Sequence, residues 1–218
     1  MEALFNLEDY TITQHLLFAI GALLWVVAYI KIITRFNKIQ FIEIPLIAIC
    51  ANFSWEFLWG FIFETNMGEF YQWGYRIWFF LDIFIVYALF KYGKNQFTLP
   101  QLKNKTIPFI LFGMATWMAF LYFFIKEFDL EMTHMGAFSG YILNTMMSAI
   151  YPILILKLGK ANLFSPLVAW SKGVGTFLIS IFCFLKFPEY GWLLVMCVIT
   201  TLLDGWYIYV VHQNKRIE

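Results

Sequence analysis

Charged side chains are scarce in this sequence. They make up 13% of its 218 residues, whereas soluble proteins carry about 25%, and this shortage excludes an ordinary water-soluble domain. The 15 basic and 14 acidic residues give a formal net charge of +1, so no basic excess predicts a nucleic-acid partner. The three cysteines, Cys50, Cys183 and Cys197, all lie in apolar runs and indicate no disulfide framework.

Apolar residues take the place of the missing charges. Hydrophobic residues account for 61% of the chain and aromatic residues for 22%, including 26 Phe and 9 Trp. A membrane-spanning helix needs about 20 apolar residues, and seven segments qualify: about 15–33, 41–63, 75–91, 106–126, 136–157, 166–185 and 191–211. The sequence therefore predicts an all-α membrane protein, a seven-transmembrane-helix bundle in which residues 1–218 form a single domain.

The charges of the connecting loops predict the orientation of the bundle. One side collects most of the 15 basic residues: Lys31, Arg35, Lys38, Lys91, Lys94, Lys103, Lys105, Lys157, Lys160, Lys215 and Arg216. The other side collects acidic residues: Glu2, Glu8, Asp9, Glu64, Glu69, Glu127, Asp129, Glu131 and Glu189. Since basic loops stay in the cytoplasm, the N-terminus is predicted outside and the C-terminus inside, in a cell inner membrane or an ER-type membrane.

Glu56, Asp82, Lys172 and Asp204 are charged residues that lie well inside the predicted spans, away from the charges assigned to the loops. An ionised side chain at the centre of a membrane helix costs at least about 2.5–3.5 kcal/mol, so these residues should face the interior of the bundle. Burial also favours the neutral form of a carboxyl group. A buried Glu or Asp can therefore carry a proton at neutral pH and donate it.

Polar residues at helical spacing accompany these acids. Asn52 and Glu56 are four residues apart and share one face of their helix, and the same spacing relates the other sets, which are Trp78 with Asp82 and Asn144 with Ser148. Tyr207 follows Asp204 by three residues. The pattern predicts one interior pocket, rich in aromatic rings, into which Asn52, Glu56, Asp82, Asn144 and Asp204 point.

Simpler interpretations remain open for several of these residues. Lys172 could snorkel to the basic side of the membrane. Asp82 could be a packing acid paired with Arg76 or an indole. Asn144 and Ser148 could only bridge two helices.

Several kinds of chemistry lack support in the sequence. The three histidines, His15, His134 and His212, lie near helix ends, which disfavours a haem or zinc site in the core. No G-x-S-x-G, P-loop or G-x-G-x-x-G motif occurs, and no cofactor is predicted. What remains is acid chemistry on an apolar substrate, in which a carboxyl group protonates an olefin or an epoxide and aromatic faces stabilise the resulting cation.

The motifs "NFSWEF", "RIWFFLD", "NTMMS", "SKGVGT" and "LLDGWYIY" together resemble a known family. It is that of the small integral-membrane terpene cyclases of fungal meroterpenoid and indole-diterpene pathways and their bacterial relatives. The resemblance implies that Glu56 and Asp204 are the catalytic acids. It also implies a polyprenyl or epoxyprenyl substrate, often with an aromatic or indole headgroup. The expected substrate-binding residues are Asn52, Trp55, Trp59, Trp78, Asp82, Asn144, Ser148 and Tyr207.

Two other functions stay open at this point. One is a retinal-binding or receptor-like protein in which Lys172 forms the Schiff base and Asp82 is its counter-ion. The other is a small proton-coupled transporter in which Glu56 and Asp204 relay protons. The expected partners are a hydrophobic isoprenoid and membrane lipid, with no nucleic acid and no metal, and the oligomeric state is left open.

Overall fold

The computed structural model describes residues 3–214, and every element in that range is a helix or a turn. Glu2, Lys215 and Arg216, which entered the prediction of orientation, lie outside these residues. The helices are α1 (Ile12–Ile39), α2 (Leu46–Phe57), α3 (Glu69–Tyr92), α4 (Pro100–Lys103), α5 (Thr106–Phe124), α6 (Leu130–Met132), α7 (Ala137–Leu158), α8 (Pro166–Lys186) and α9 (Gly191–Asn214). This architecture confirms the all-α part of the predicted fold class.

Six of the described helical segments are long and apolar enough to cross a membrane. They are Ile12–Ile39, Glu69–Gln96, Thr106–Met132, Ala137–Leu158, Pro166–Lys186 and Gly191–Gln213. The segment predicted at 41–63 is shorter, because the helix begins only after Pro45 and runs from Leu46 to Ile62. Residues 41–44 precede it as a loop whose apolar side chains are buried.

The last turn of the α2 segment widens into a π-helix, Leu58–Ile62. Such a turn leaves carbonyl groups without their usual partners. The side chain of Gln72 on α3 satisfies them, since its Nε2 atom donates to the carbonyl oxygens of Trp59 at 2.7 Å and Gly60 at 3.1 Å. Arg76 Nε donates to the same Gly60 oxygen at 2.9 Å. The side chains of α3 therefore fix the end of α2 inside the bundle.

The loops gather at two ends of the bundle. At one end, Asn6 donates through its backbone to the carbonyl of Met67, and the carbonyl of Met132 accepts from the Tyr190 hydroxyl. At the other end, Arg35 donates to the Leu163 carbonyl at 2.8 Å, and the Gln96 side chain donates to the Ile42 carbonyl at 2.9 Å. The α2 segment connects the second end to the first, and the longer helices likewise extend between the two ends, in alternating directions.

Packing around the centre leaves α5 at the periphery, against α2, while α1 packs on α8 and α9 packs on α7 and α8. The α1–α8 crossing is close. A Cβ atom on Gly21 would lie 2.7 Å from the Gly175 carbonyl oxygen. Small residues allow membrane helices to approach in this way, and α1 thereby presents its polar and aromatic side chains toward α2 and α3.

Candidate functional site

A cavity of about 90 Å³ lies between α1, α2, α3, α7 and α8. Three polar residues on its wall are Asn52, Glu56 and Asn144. Its aromatic lining is Phe18, Trp25, Tyr29, Trp55, Tyr75, Trp78 and Tyr141. Ligand pockets usually measure about 300–1,000 Å³, so a large occupant requires the wall side chains to move apart.

Glu56 is fixed on this wall by two hydrogen bonds to the same carboxyl oxygen. The Tyr29 hydroxyl donates to Oε1 at 2.6 Å, and Asn52 Nδ2 donates to it at 2.8 Å. The side chain is buried, and within the described chain its second oxygen, Oε2, has no hydrogen-bond partner. Tyr29 and Asn52 thus fix the Glu56 carboxyl group through one of its two oxygens.

Asp82 is linked to Glu56 by the side-chain amide of Asn52, which contacts both carboxyl groups. Asn52 Nδ2 lies 3.0 Å from Asp82 Oδ2 and also contacts the Tyr29 hydroxyl. The alternative pairing of Asp82 with Arg76 is wrong, because the Arg76 guanidinium lies over the Trp73 ring and bonds the Gly60 carbonyl. Two carboxyl groups that share one amide repel each other when both are ionised, which favours a proton between them.

Lys172 and Asp204 form a second polar cluster. Lys172 Nζ lies 2.5 Å from Asp204 Oδ1 and 2.6 Å from Ser148 Oγ, and it lies 5.3 Å from the centroid of the Trp25 ring. The expectation that Lys172 snorkels is wrong, since its side chain is 1% exposed. The lysine stays buried because it pairs with a carboxylate on the neighbouring helix α9. Paired opposite charges can remain inside a bundle where a lone charge cannot.

The two clusters are neighbours but do not share one cavity. A second void of about 10 Å³ is lined by Asp82 and Lys172, and Trp25, Tyr29 and Asn52 line both this void and the main cavity. Asp204 lines neither of them. The predicted convergence of five polar residues on one pocket is therefore wrong in part: three of them line the cavity, Asp82 lies on the second void, and Asp204 lies beyond Lys172.

The remaining predicted site residues divide in the same way. Trp55 and Trp78 line the cavity, whereas Trp59 is fully buried behind Trp55, with ring centroids 6.4 Å apart. Tyr207 lies outside the cavity and packs on Tyr151, with ring centroids 4.4 Å apart.

The two residues predicted on α7 also make helix–helix contacts. Asn144 donates to Thr176 Oγ1 at 3.2 Å. Ser148 donates to the Asn144 carbonyl at 2.8 Å and accepts from Lys172. Asn144 therefore both bridges α7 to α8 and lines the cavity, while Ser148 belongs to the cluster of Lys172.

Two residues of the site escaped the sequence analysis. Tyr29 lies in the apolar run of α1, where the one available signal was its four-residue spacing from Trp25. Asp129 was assigned to the acidic end, but it is buried and accepts from the backbone N–H groups of Phe138 and Ser139 at 2.9 and 2.8 Å. It caps α7, and no short-range pattern reveals such a contact.

The Asp129 cap also places an indole on the cavity wall. Trp55 Nε1 donates to Ser139 Oγ at 2.7 Å, and Ser139 is one of the two residues whose N–H groups Asp129 accepts. The Trp55 ring meets Tyr75 edge to face at 5.3 Å. The position of Trp55 is thus set by α7 and α3 together.

Residues 3–214 contain no group of three or more His, Cys, Asp or Glu side chains that could hold a metal ion. The Schiff-base arrangement considered above also differs from the observed one, since the Lys172 amine pairs with Asp204 and Asp82 bonds Asn52. The site is an acid on an aromatic wall, with a buried ion pair behind it.

Comparison with known proteins finds sequence relatives among fungal enzymes. A Pyr4-family terpene cyclase, mfmH of Annulohypoxylon moriforme, is 31% identical over 121 residues, which are 55% of this chain and 49% of its own length. Terpene cyclase dpasB of Apiospora sacchari is 24% identical over 222 residues, 93% of this chain and 85% of its own. Asnovolin H synthase nvfL of Aspergillus novofumigatus is 29% identical over 89 residues, 41% of this chain and 36% of its own.

The matched region thus spans about half the length of the first of these relatives and most of the second. No solved structure matches the chain. The sequence model of one family, described as Pyr4-like transmembrane terpene cyclases, matches residues 5–216. The resemblance seen in the motifs is confirmed, and the chain belongs to the Pyr4-like transmembrane terpene cyclases.

Proposed function

We propose that this integral membrane protein is a terpene cyclase that starts the cyclisation of a prenyl chain by donating a proton from Glu56. The observation that carries the proposal is the position of Glu56, on the wall of an aromatic cavity with Oε2 unpartnered among the described residues. General acid catalysis needs a protonated donor within hydrogen-bonding reach of the reacting group. Tyr29 and Asn52 hold the other oxygen and so orient the acid.

The proposed reaction begins with transfer of the Glu56 proton to an epoxide oxygen or an olefin carbon of the substrate. With an epoxide, the C–O bond breaks as the π electrons of a neighbouring double bond form a new C–C bond. The cation moves along the chain as further rings close, and it ends by losing a proton. We assign that proton to the carboxylate left on Glu56, beside Asp82, so the product is an isomer of the substrate.

The aromatic wall supplies the second requirement, a surface that stabilises a cation without reacting with it. A cation over an indole face gains about 2 kcal/mol or more when water is excluded. Trp55 and Trp78 line the cavity. The ammonium group of Lys172 lies over Trp25, so we assign Trp55 and Trp78, rather than Trp25, to the substrate cation.

Asp204 enters the proposal through Lys172. The resemblance implies a catalytic acid in the last helix, and Asp204 holds that place, but Lys172 and the wall residue Trp25 stand between it and the cavity. We propose that Asp204 keeps the Lys172 charge paired and the Trp25 ring in position. Its loss then impairs the reaction without its carboxyl group touching the substrate.

We also propose seven membrane crossings, with the N-terminus outside and the C-terminus in the cytoplasm. The α2 segment has 17 residues, which spans about 25 Å at 1.5 Å per residue and is close to the lower limit of about 17 for a crossing helix. It runs between the same two ends as its neighbours. The basic loops lie at the end that contains Arg35 and Gln96.

The experiment compares the wild-type protein with Glu56→Gln in membranes supplied with a phenol that carries an epoxidised prenyl chain. The wild type should form a cyclic isomer of unchanged mass, and Glu56→Gln should form none. Glu43→Gln is the matched control, because Glu43 is equally buried but lies outside the cavity. If Glu56→Gln cyclises the substrate at the wild-type rate, Glu56 is not the acid.

A further inference from the structure

Helix α7 presents two glycines to the cavity, Gly136 just before its first turn and Gly140 within that turn. Glycine is a poor helix former compared with alanine. A glycine in such a place therefore needs a reason, either in the fold or in the space that it leaves open. The two glycines differ in this respect.

The fold requires Gly136. Its φ angle is +82°, which residues with a side chain rarely adopt. A Cβ atom there would also lie 2.7 Å from Trp59 Nε1 and 2.8 Å from Trp55 Cζ2, a distance that real Cβ atoms do not show. Gly136 thus lets the loop before α7 pass against two indole rings.

The fold makes no such demand at Gly140. Its backbone is helical, and its N–H group donates to the Gly136 carbonyl at 2.9 Å. The nearest atom to a Cβ built on Gly140 is Trp55 Cζ2, at 3.5 Å, an ordinary van der Waals distance. A methyl group therefore fits at this position without moving the backbone, and what the glycine provides is open space in the cavity.

Trp55, the wall residue that faces Gly140, is held in place even where other wall side chains move apart for an occupant. Trp55 is held by the hydrogen bond from its Nε1 to Ser139 and by edge contact with Tyr75. Any side chain added at position 140 thus takes volume from a cavity of only about 90 Å³. In a closely packed wall of this kind, even one added methyl group changes the space that is left for a ligand.

We infer that Gly140 sets the length of the prenyl chain that the cavity accepts. The inference rests on the proposed function, because it takes the cavity to be the place where the chain folds. A side chain at position 140 shortens the space beside Trp55. The value of kcat/KM should therefore fall more for longer prenyl chains than for shorter ones, since one methylene group changes selectivity by about 10- to 200-fold in a close-fitting apolar pocket.

The test uses Gly140→Ala and Gly140→Leu with substrates that share one phenol headgroup and one terminal epoxide but carry two, three or four isoprene units. For each chain length, kcat/KM is measured, and so is the shift in melting temperature caused by the ligand, which reports binding without turnover. The matched controls are Gly205→Ala and Gly205→Leu, because Gly205 is exposed in α9 and a Cβ there meets nothing within 4 Å.

Both Gly140 variants should fold, with a melting temperature at or above that of the wild type for Gly140→Ala. Gly140→Leu should lower the preference for the longest accepted chain over the next shorter one by at least about tenfold, with a smaller change for Gly140→Ala. The Gly205 variants should keep the wild-type preference. The inference would be overturned if folded Gly140 variants retained that preference, or if their kcat/KM fell equally for all chain lengths.

The two proposals fail in different ways. If the wild type binds prenyl chains but forms no cyclic product, the proposed function fails, and the thermal shifts still decide whether Gly140 selects chain length. If the wild type cyclises its substrate and the Gly140 variants show unchanged preference, only the inference about Gly140 fails. If no chain length binds, both fail.

Discussion

Lys172 Nζ lies 2.5 Å from Asp204 Oδ1, and both side chains are almost completely buried within the apolar bundle. The pair stands beside the cavity of Glu56 rather than in it, and Trp25, Tyr29 and Asn52 line both that cavity and the small void next to Lys172. Asp204 Oδ2 has no hydrogen-bond partner in the described chain. Because its two charges cancel, the pair adds no net charge beside the cavity in which a cation is proposed to form.

The first prediction separates pairing from chemistry at Asp204. Lys172→Met and Asp204→Leu each leave one buried charge without its partner, so each should destabilise the protein by about 3–5 kcal/mol and abolish activity. The double variant Lys172→Met/Asp204→Leu removes both charges and should recover thermal stability and at least part of the cyclisation rate. A stable double variant without activity would contradict the proposal that Asp204 acts only by pairing the Lys172 charge.

The second prediction concerns Tyr29, which donates to Glu56. Tyr29→Phe keeps the ring and removes the hydrogen bond that stabilises the carboxylate formed as Glu56 gives up its proton, and a hydrogen bond to a charged group contributes about 1.5–3 kcal/mol. The cyclisation rate should fall by roughly 10- to 100-fold while the protein stays folded. Tyr92→Phe, which loses a hydrogen bond to Asn37 away from the cavity, should keep the wild-type rate. An unchanged rate in Tyr29→Phe would remove Tyr29 from the site.

The third prediction is a pH dependence at the basic end of the bundle. Glu43 lies in the loop before α2, where it accepts from the Ser165 backbone N–H at 2.7 Å and from Arg35 at 3.4 Å. Burial raises the pKa of Glu43 from 4.5 to about 7, against the opposing effects of the Ser165 N–H group and of Arg35 and Lys31. The folded protein therefore binds this proton more tightly than the unfolded chain does.

The sign of the effect follows from that difference in proton binding. The stabilising contribution of the Glu43 proton is complete below about pH 4.5 and is lost as the pH rises through about 7. Melting temperatures of the wild type in detergent should fall relative to those of Glu43→Gln across this window, since the variant cannot lose a proton at position 43. Parallel curves for the two proteins would mean that Glu43 has the same proton affinity in both states.

The fourth prediction tests the orientation of the bundle. A protein without its three buried cysteines receives one cysteine, either as Asn104→Cys at the basic end or as Glu189→Cys at the opposite end. In intact cells that carry the protein in the plasma membrane, a membrane-impermeant maleimide should label Glu189→Cys only. Permeabilised cells are the control, where both should react. Labelling of Asn104→Cys from outside would refute the proposed orientation.

The sequence was sufficient to predict the features that depend on residues close together along the chain. Apolar runs of membrane length must form helices, because the hydrocarbon interior offers no partners for free backbone groups, and the predicted helices exist with shifts at their ends. The segment that the structure shortens most is that of α2, where the helix begins only after Pro45. Asn52 and Glu56 hydrogen-bond as their four-residue spacing predicts.

The roles of the site residues stay predictions, and what only the tertiary structure decided is which residues meet. Lys172 and Asp204 are 32 residues apart, on different helices, and helical periodicity gives the face of a residue but neither its neighbour nor its depth. For the same reason Tyr29 could not be connected to Glu56, nor Asp129 to α7. The choice of partner across helices is made by packing and by the need to pair each buried polar group, and neither is written in a short stretch of sequence.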